Sequence, residues 1–145
     1  MCRCKLNIIS PLIVSILFAI CGFGIDEITL PDECGGEVDL EELWDTAYDF
    51  GKRGLFDEAR LCFERFAVRD PAKNRSWCLL SEIHARIGNA QGAVRHATVA
   101  TRISGHEQSG AEAFFLLANG HMAMNRFDLA RQHFYRSPQS YVCST

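Results

Sequence analysis

The chain has 145 residues, 48% hydrophobic and 23% charged, enough for one core and too few for two independent ones. The formal net charge is −3, with lysine, arginine and histidine scattered rather than clustered. That excludes the basic stripe by which a protein tracks phosphates, so no nucleic-acid partner is expected.

In chain order, the first element is the leader MCRCKLNIISPLIVSILFAICGFG, residues 1–24. Arg3 and Lys5 precede an apolar run that closes on small residues, and Asp26 and Glu27 follow. This order predicts a secretory signal peptide, cleaved after Cys21 or Gly24, or a membrane anchor. Asn7, Ser10 and Pro11 make the run a short and poor span. A lipoprotein signal at Cys21 would need a small residue where Ile20 stands. The expected location is exported or membrane-anchored, with the membrane a partner only through this segment. The alternative is a cytoplasmic protein with an apolar leader. Residues 25–38 read as a linker, with a weak period-two pattern at Ile25–Leu30.

Seven cysteines are many for this length, and Cys2, Cys4 and Cys21 belong to the leader. Cys62 and Cys78 fall inside expected helices and read as buried free thiols, which behave as small hydrophobes. A Cys34–Cys143 bridge between the chain's two ends stays open. No cysteine or histidine cluster has zinc spacing.

From residue 39 the chain repeats itself. Ala59 aligns with Ala93 and Ala130, at intervals of 34 and 37 residues. The same register places Gly54 over Gly88, Ala47 over Ser81 and Ala118, and Phe63 over Ala97 and Phe134. Three units result, 40–73, 74–107 and 111–144, within a repeat domain over 39–138 and before a tail at 139–145. Each unit reads as two helices. Leu43, Ala47, Phe50 and Gly54 keep three-to-four spacing, with Asp39 and Glu42 as a capping box. Gly54 permits the turn, Phe56, Ala59, Leu61, Phe63 and Phe66 form the second stripe, and Pro71 ends it. Ser109 and Glu112 predict a second capping box. The fold class is all-α: three tandem helix-turn-helix units.

A 34-residue unit with a turn glycine, a crossing alanine, a following aromatic and a closing proline resembles the tetratricopeptide repeat family. The first unit carries Gly54, Phe56, Ala59, Phe63, Asp70 and Pro71; the second keeps Trp77, Gly88, Ala93 and Ala100; the third keeps Phe127, Ala130 and Phe134, with Asn125 for the glycine. The stretch LWDTAYDFGKRGLFDEARLCFERFAVRDP is also similar to the opening repeat of the small chaperones that hold type III secretion translocators, through Leu43-Trp44, Ala47-Tyr48, Gly54, Ala59 and Asp70.

The resemblance implies a short right-handed superhelical array whose concave groove is lined by the first helix of each unit. The groove positions are then Glu41, Trp44, Tyr48 and Gly51, followed by Arg75, Cys78, Glu82 and Ala85, and finally Glu112, Phe115, Asn119 and Met122. Such an aromatic-rich surface suits an apolar or amphipathic segment of another protein. For Trp44, packing over the open end of the first unit is an equal reading. The clamp by which relatives grip carboxylate tails needs Lys, Asn and Arg, and only Asn119 fits.

His84 and His121 share one repeat position, and Cys62, His96 and His133 share another. Equivalent positions in successive repeats lie about 10 Å apart, too far for one metal ion, so no metal and no cofactor are expected. No nucleophile and base are brought together, so no catalytic residue is expected either. Asn74-Arg75-Ser76 is a glycosylation sequon placed in a turn. Phe114, Leu117, Phe134 and Tyr135 have no capping helix after them and are expected to be partly bare, a surface for a partner or a homodimer. The functional expectation is a noncatalytic interaction module, exported or tethered, that scaffolds assembly. The alternatives are a cytoplasmic secretion chaperone and an accessory subunit of an enzyme complex.

Overall fold

The computed structural model describes residues 29–104 and 108–137. The leader with its two cleavage points, Ile25 to Ile28, Cys143 and the tail lie outside the described residues. Within them are a short 3-10 turn at Asp32–Cys34 and six helices: α1 Leu40–Lys52, α2 Phe56–Arg69, α3 Asn74–Arg86, α4 Ala90–Ser104, α5 Gln108–Ala123 and α6 Phe127–Arg136. No described residue forms a strand.

Local chemistry sets the helix ends. Asp39 caps α1 by accepting the Glu42 N–H at 2.8 Å, a contact worth about 1 kcal/mol; Glu42 returns no bond. Asn89 caps α4 in the same way, accepting the Gly92 N–H at 2.8 Å. Asp70 follows the last residue of α2, and Pro71 cannot continue the helix. Two expectations shift here. α5 begins at Gln108, so Ser109 lies inside the helix instead of capping it. Asn74 of the sequon is the first residue of α3 and not a turn residue.

Three turns of one design fold these helices into hairpins. Gly54, Gly88 and Asn125 have φ of 79°, 78° and 57°. At each, the left-handed residue donates its N–H three residues back and the next residue donates five back: Gly54 to Gly51 and Leu55 to Phe50, Gly88 to Ala85 and Asn89 to His84, Asn125 to Met122 and Arg126 to His121. This double bond satisfies carbonyls that a helix end would otherwise orphan. Behind each turn the helices meet at small residues. Ala59, Ala93 and Ala130 are buried against their hairpin partners, as are Ala47, Ser81 and Ala118. In the middle hairpin the Ser81 hydroxyl donates to the Ala93 carbonyl at 2.9 Å, an approach that longer side chains would prevent. Successive helices pack in chain order, and α3 also touches α5.

The main core lies between α1, α2 and α3, where Leu43, Phe63 and Leu80 are fully enclosed. The expected linker is docked on it. Cys34 is buried and bonded to Cys62, with Cα atoms 5.5 Å apart and a separation of 28 positions in sequence. Arg65 and Arg69 of α2 donate to the Gly36 and Val38 carbonyls. The expectation of a free Cys62 is therefore corrected, and Cys34 is taken by Cys62 instead of being open to Cys143. Closing a loop of this size stabilises a fold by roughly 3–4 kcal/mol in the chain-entropy account. Cys78 is a free, buried thiol as expected. At the other end Leu117 is buried, against expectation, while Phe127 and Tyr135 are 59% and 83% exposed.

The turns generate a paired prediction. Gly54→Ala places a side chain at φ 79° and lowers stability by about 1 kcal/mol, whereas Asn125→Gly relieves the same conformation and raises it by a smaller amount. Thermal denaturation of the two variants should shift in opposite directions.

Candidate functional site

The first helices α1, α3 and α5 present a common face with two neighbouring cavities. One, of about 340 Å³, is lined by Tyr48, Gly51, Phe56 and Leu79 among others; the second, of about 280 Å³, by Ala85, Ala93, Leu116 and Asn119 among others. Glu82 and Arg86 line both, so α3 forms the wall they share. A third hollow, of about 290 Å³, sits at the open end of the first hairpin between Leu40, Trp44, Phe66 and Lys73.

The groove residues expected from sequence take different places. Tyr48, Glu82 and Asn119 line the two shared cavities, together with Gly51 and Ala85. Tyr48 is 43% exposed, with the Lys52 ammonium 4.6 Å from its ring centre. Trp44 and Phe115 chiefly pack. Trp44 meets Phe63 and Phe66 edge-on at 5.3 and 5.0 Å, leaving one face to the third hollow, and Phe115 meets Phe134 at 5.9 Å. Arg75 pairs with Glu112, tying α3 to α5. Met122 is exposed. Cys78 does not reach the groove: it is fully buried against Ala100 and Ala113, because α3 is covered there by both α4 and α5.

Cavity-lining positions beyond those expected include one that recurs in all three units. Lys52, Arg86 and Ala123 each stand twelve residues after their unit begins, and all three line a cavity. The face is therefore more polar than the aromatic residues suggested. At its centre, burial pushes the Glu82 carboxyl above the usual carboxylate range; Arg75 and Arg86 draw it down and Glu112 adds to the rise.

Four histidines stack in pairs behind the groove. His84 and His96 have ring centres 4.8 Å apart, and His121 and His133 5.3 Å. Equivalent positions of successive repeats stand too far apart to share a metal ion, but each pair joins non-equivalent positions of one hairpin. Burial holds all four imidazoles below the ordinary histidine range; His96 is lowered to about 4, where the adjoining His84 adds to the effect.

No protein-family model matches the chain, and no curated protein matches it. Solved structures do. The Yersinia enterocolitica type III secretion translocator chaperone SycD, in a structure described as an alternative dimer, aligns with a TM-score of 0.65. The alignment covers 75% of this chain and 83% of that one, at 16% identity. At this identity the likeness is one of fold. The chain is an all-helical repeat protein. Among the described residues no helix is long and apolar enough to cross a membrane.

Glu82 yields a prediction with a definite sign. A carboxyl whose folded pKa is raised costs stability once it ionises, so the cost grows as pH rises through the folded value and is absent below the unfolded one. Glu82→Gln should unfold at a higher temperature than the parent at pH about 8, with the difference closing towards pH about 4.

Proposed function

We propose that the protein is a noncatalytic interaction module of tetratricopeptide type whose groove on α1, α3 and α5 binds an apolar or amphipathic segment of another protein. The observation that carries this reading is the pair of neighbouring cavities sharing Glu82 and Arg86. Apolar walls at Phe56, Leu79 and Leu116 flank a charged centre, which suits a segment with hydrophobic anchors and a polar stripe between them. The fold likeness to a translocator chaperone supports a protein as partner. Exposed Phe127 and Tyr135 on α6 support a second contact there, with another copy of the chain or with the partner.

Export to an oxidising compartment, with a scaffold role in assembly there, is part of the proposal. The charge-then-apolar leader and the Cys34–Cys62 bond support it, since structural disulfides persist chiefly outside reducing compartments. A second reading, a cytoplasmic chaperone of a secreted client, is favoured by the likeness to SycD. The mass of the native amino terminus separates the two. Loss of residues through Cys21 or Gly24 excludes the cytoplasmic reading, and an intact soluble terminus excludes export.

The groove itself is tested by filling it. Tyr48→Ala, Ala85→Arg and Asn119→Arg change partly or fully exposed helical positions, so the triple variant should keep its helical circular dichroism. It should lose the partners that the parent retains in a pull-down from its own cells. A folded triple variant that keeps the full partner set would place binding elsewhere.

A further inference from the structure

Outside the groove, one cluster has chemistry that packing does not use. Glu64 on α2, His84 on α3 and His96 on α4 each offer a ligand atom, and the three atoms lie within 4.8 Å of one another. His84 Nε2 is 3.9 Å from Glu64 Oε1. The His84 side chain is nine-tenths buried, yet neither of its ring nitrogens, nor Nδ1 of His96, has a hydrogen-bond partner among the described residues. Orphaned ring nitrogens at that depth cost stability unless the N–H finds an acceptor and the lone pair a donor or a cation. The backbone makes room for the ring: a Cβ on Gly92 would fall 2.5 Å from His84 Nδ1.

The third hairpin provides an internal comparison. Trp77 stacks on His96, which stacks on His84; one unit later Phe114 stacks on His133, which stacks on His121. The stacked pair is therefore a repeated packing device. The difference lies in the preceding hairpin. The repeat register puts Glu64 beside the first pair and Thr98 in the matching place for the second, and the Thr98 hydroxyl is spent on the Val94 carbonyl. A carboxylate has been added to only one of two otherwise matching sites.

We propose that Glu64, His84 and His96 bind a first-row divalent cation of the zinc type, joining the first hairpin to the second. Two imidazoles and a carboxylate form a borderline donor set suited to such ions and leave a further position for water. Bonds near 2 Å place tetrahedral ligand atoms roughly 3.3 Å apart, so side-chain rotations of little more than an ångström close the set. Arg60 donates to both Glu64 oxygens, at 3.1 and 3.2 Å, and fixes the carboxylate while leaving each oxygen another lone pair. The charges of Arg60 and Arg95 oppose a dication and keep affinity moderate.

The test uses the full chain, stripped of metal and dialysed against Zn²⁺, with metal content and thermal unfolding as readouts. One Zn²⁺ per chain and a raised unfolding temperature are expected for the parent. His121→Gln should keep both, and Glu64→Gln and His96→Gln should each lose both. Glu64 is partly exposed, so its variant keeps the test valid if a histidine variant fails to fold. Co²⁺ should give visible d–d absorption in the parent and not in Glu64→Gln. Absence of Zn²⁺ from the parent overturns the proposal. So does its retention by Glu64→Gln and His96→Gln, which would place the ion on Cys2, Cys4, Cys21 or the His121 pair.

Discussion

Each helix pair turns back through a single residue held in the left-handed conformation, and the rest of the architecture depends on that constraint. Gly54, Gly88 and Asn125 fix where the first helix of a hairpin ends and the direction in which the second leaves. The turn's long hydrogen bond ends on the carbonyl of Phe50, His84 or His121, so the side chain at that position is carried under the turn against the second helix. In the first hairpin the Phe50 ring joins the core cluster that holds Cys62; in the other two an imidazole stacks on an imidazole. Small residues at the crossings then allow the helices to close, and the faces they leave outward become the groove.

The fold was legible in the sequence because its determinants are local and recur. A glycine or asparagine at the turn and an alanine at the crossing appear three times in almost constant register, with an aromatic one turn later in the first and third units. The cavity-lined face proposed as the groove was legible only in part. Tyr48, Glu82 and Asn119 could be placed by counting from each unit's start, but Cys78 could not, since its burial depends on α5 closing over α3. Lys52 and Arg86 lie one residue beyond the positions counted, where the helix still turns its flank to the cavity. The Cys34–Cys62 bond had no periodic signal. It follows from Arg65 and Arg69 holding an irregular segment by its carbonyls, which no spacing rule encodes. The histidine pairs were overlooked because repeat logic compares like positions, whereas contacts within a hairpin join unlike ones.

The molecule's two chemical surfaces answer to different needs. On the groove, Glu82 and Arg86 set charge between apolar hollows, an arrangement that in the proposed function would select a segment by register more than by total hydrophobicity. Behind it, neutral imidazoles and the disulfide bind the repeats to one another and to the docked amino-terminal segment. The proposed partner would therefore meet a body whose first two hairpins are reinforced and whose third carries, among the described residues, the most exposed aromatic ring, Tyr135.

In the proposed function, partners are met on α1, α3 and α5. A photo-crosslinking residue placed in living cells at Tyr48, Ala85 or Asn119, and at Val68 or Arg102 on the second helices, puts this to the test. Val68 is 81% exposed and Arg102 is also open to solvent, so all five positions can report. One shared set of adducts is expected from the three groove positions and none from the other two. Adducts from Val68 or Arg102 with silence at the groove would contradict it.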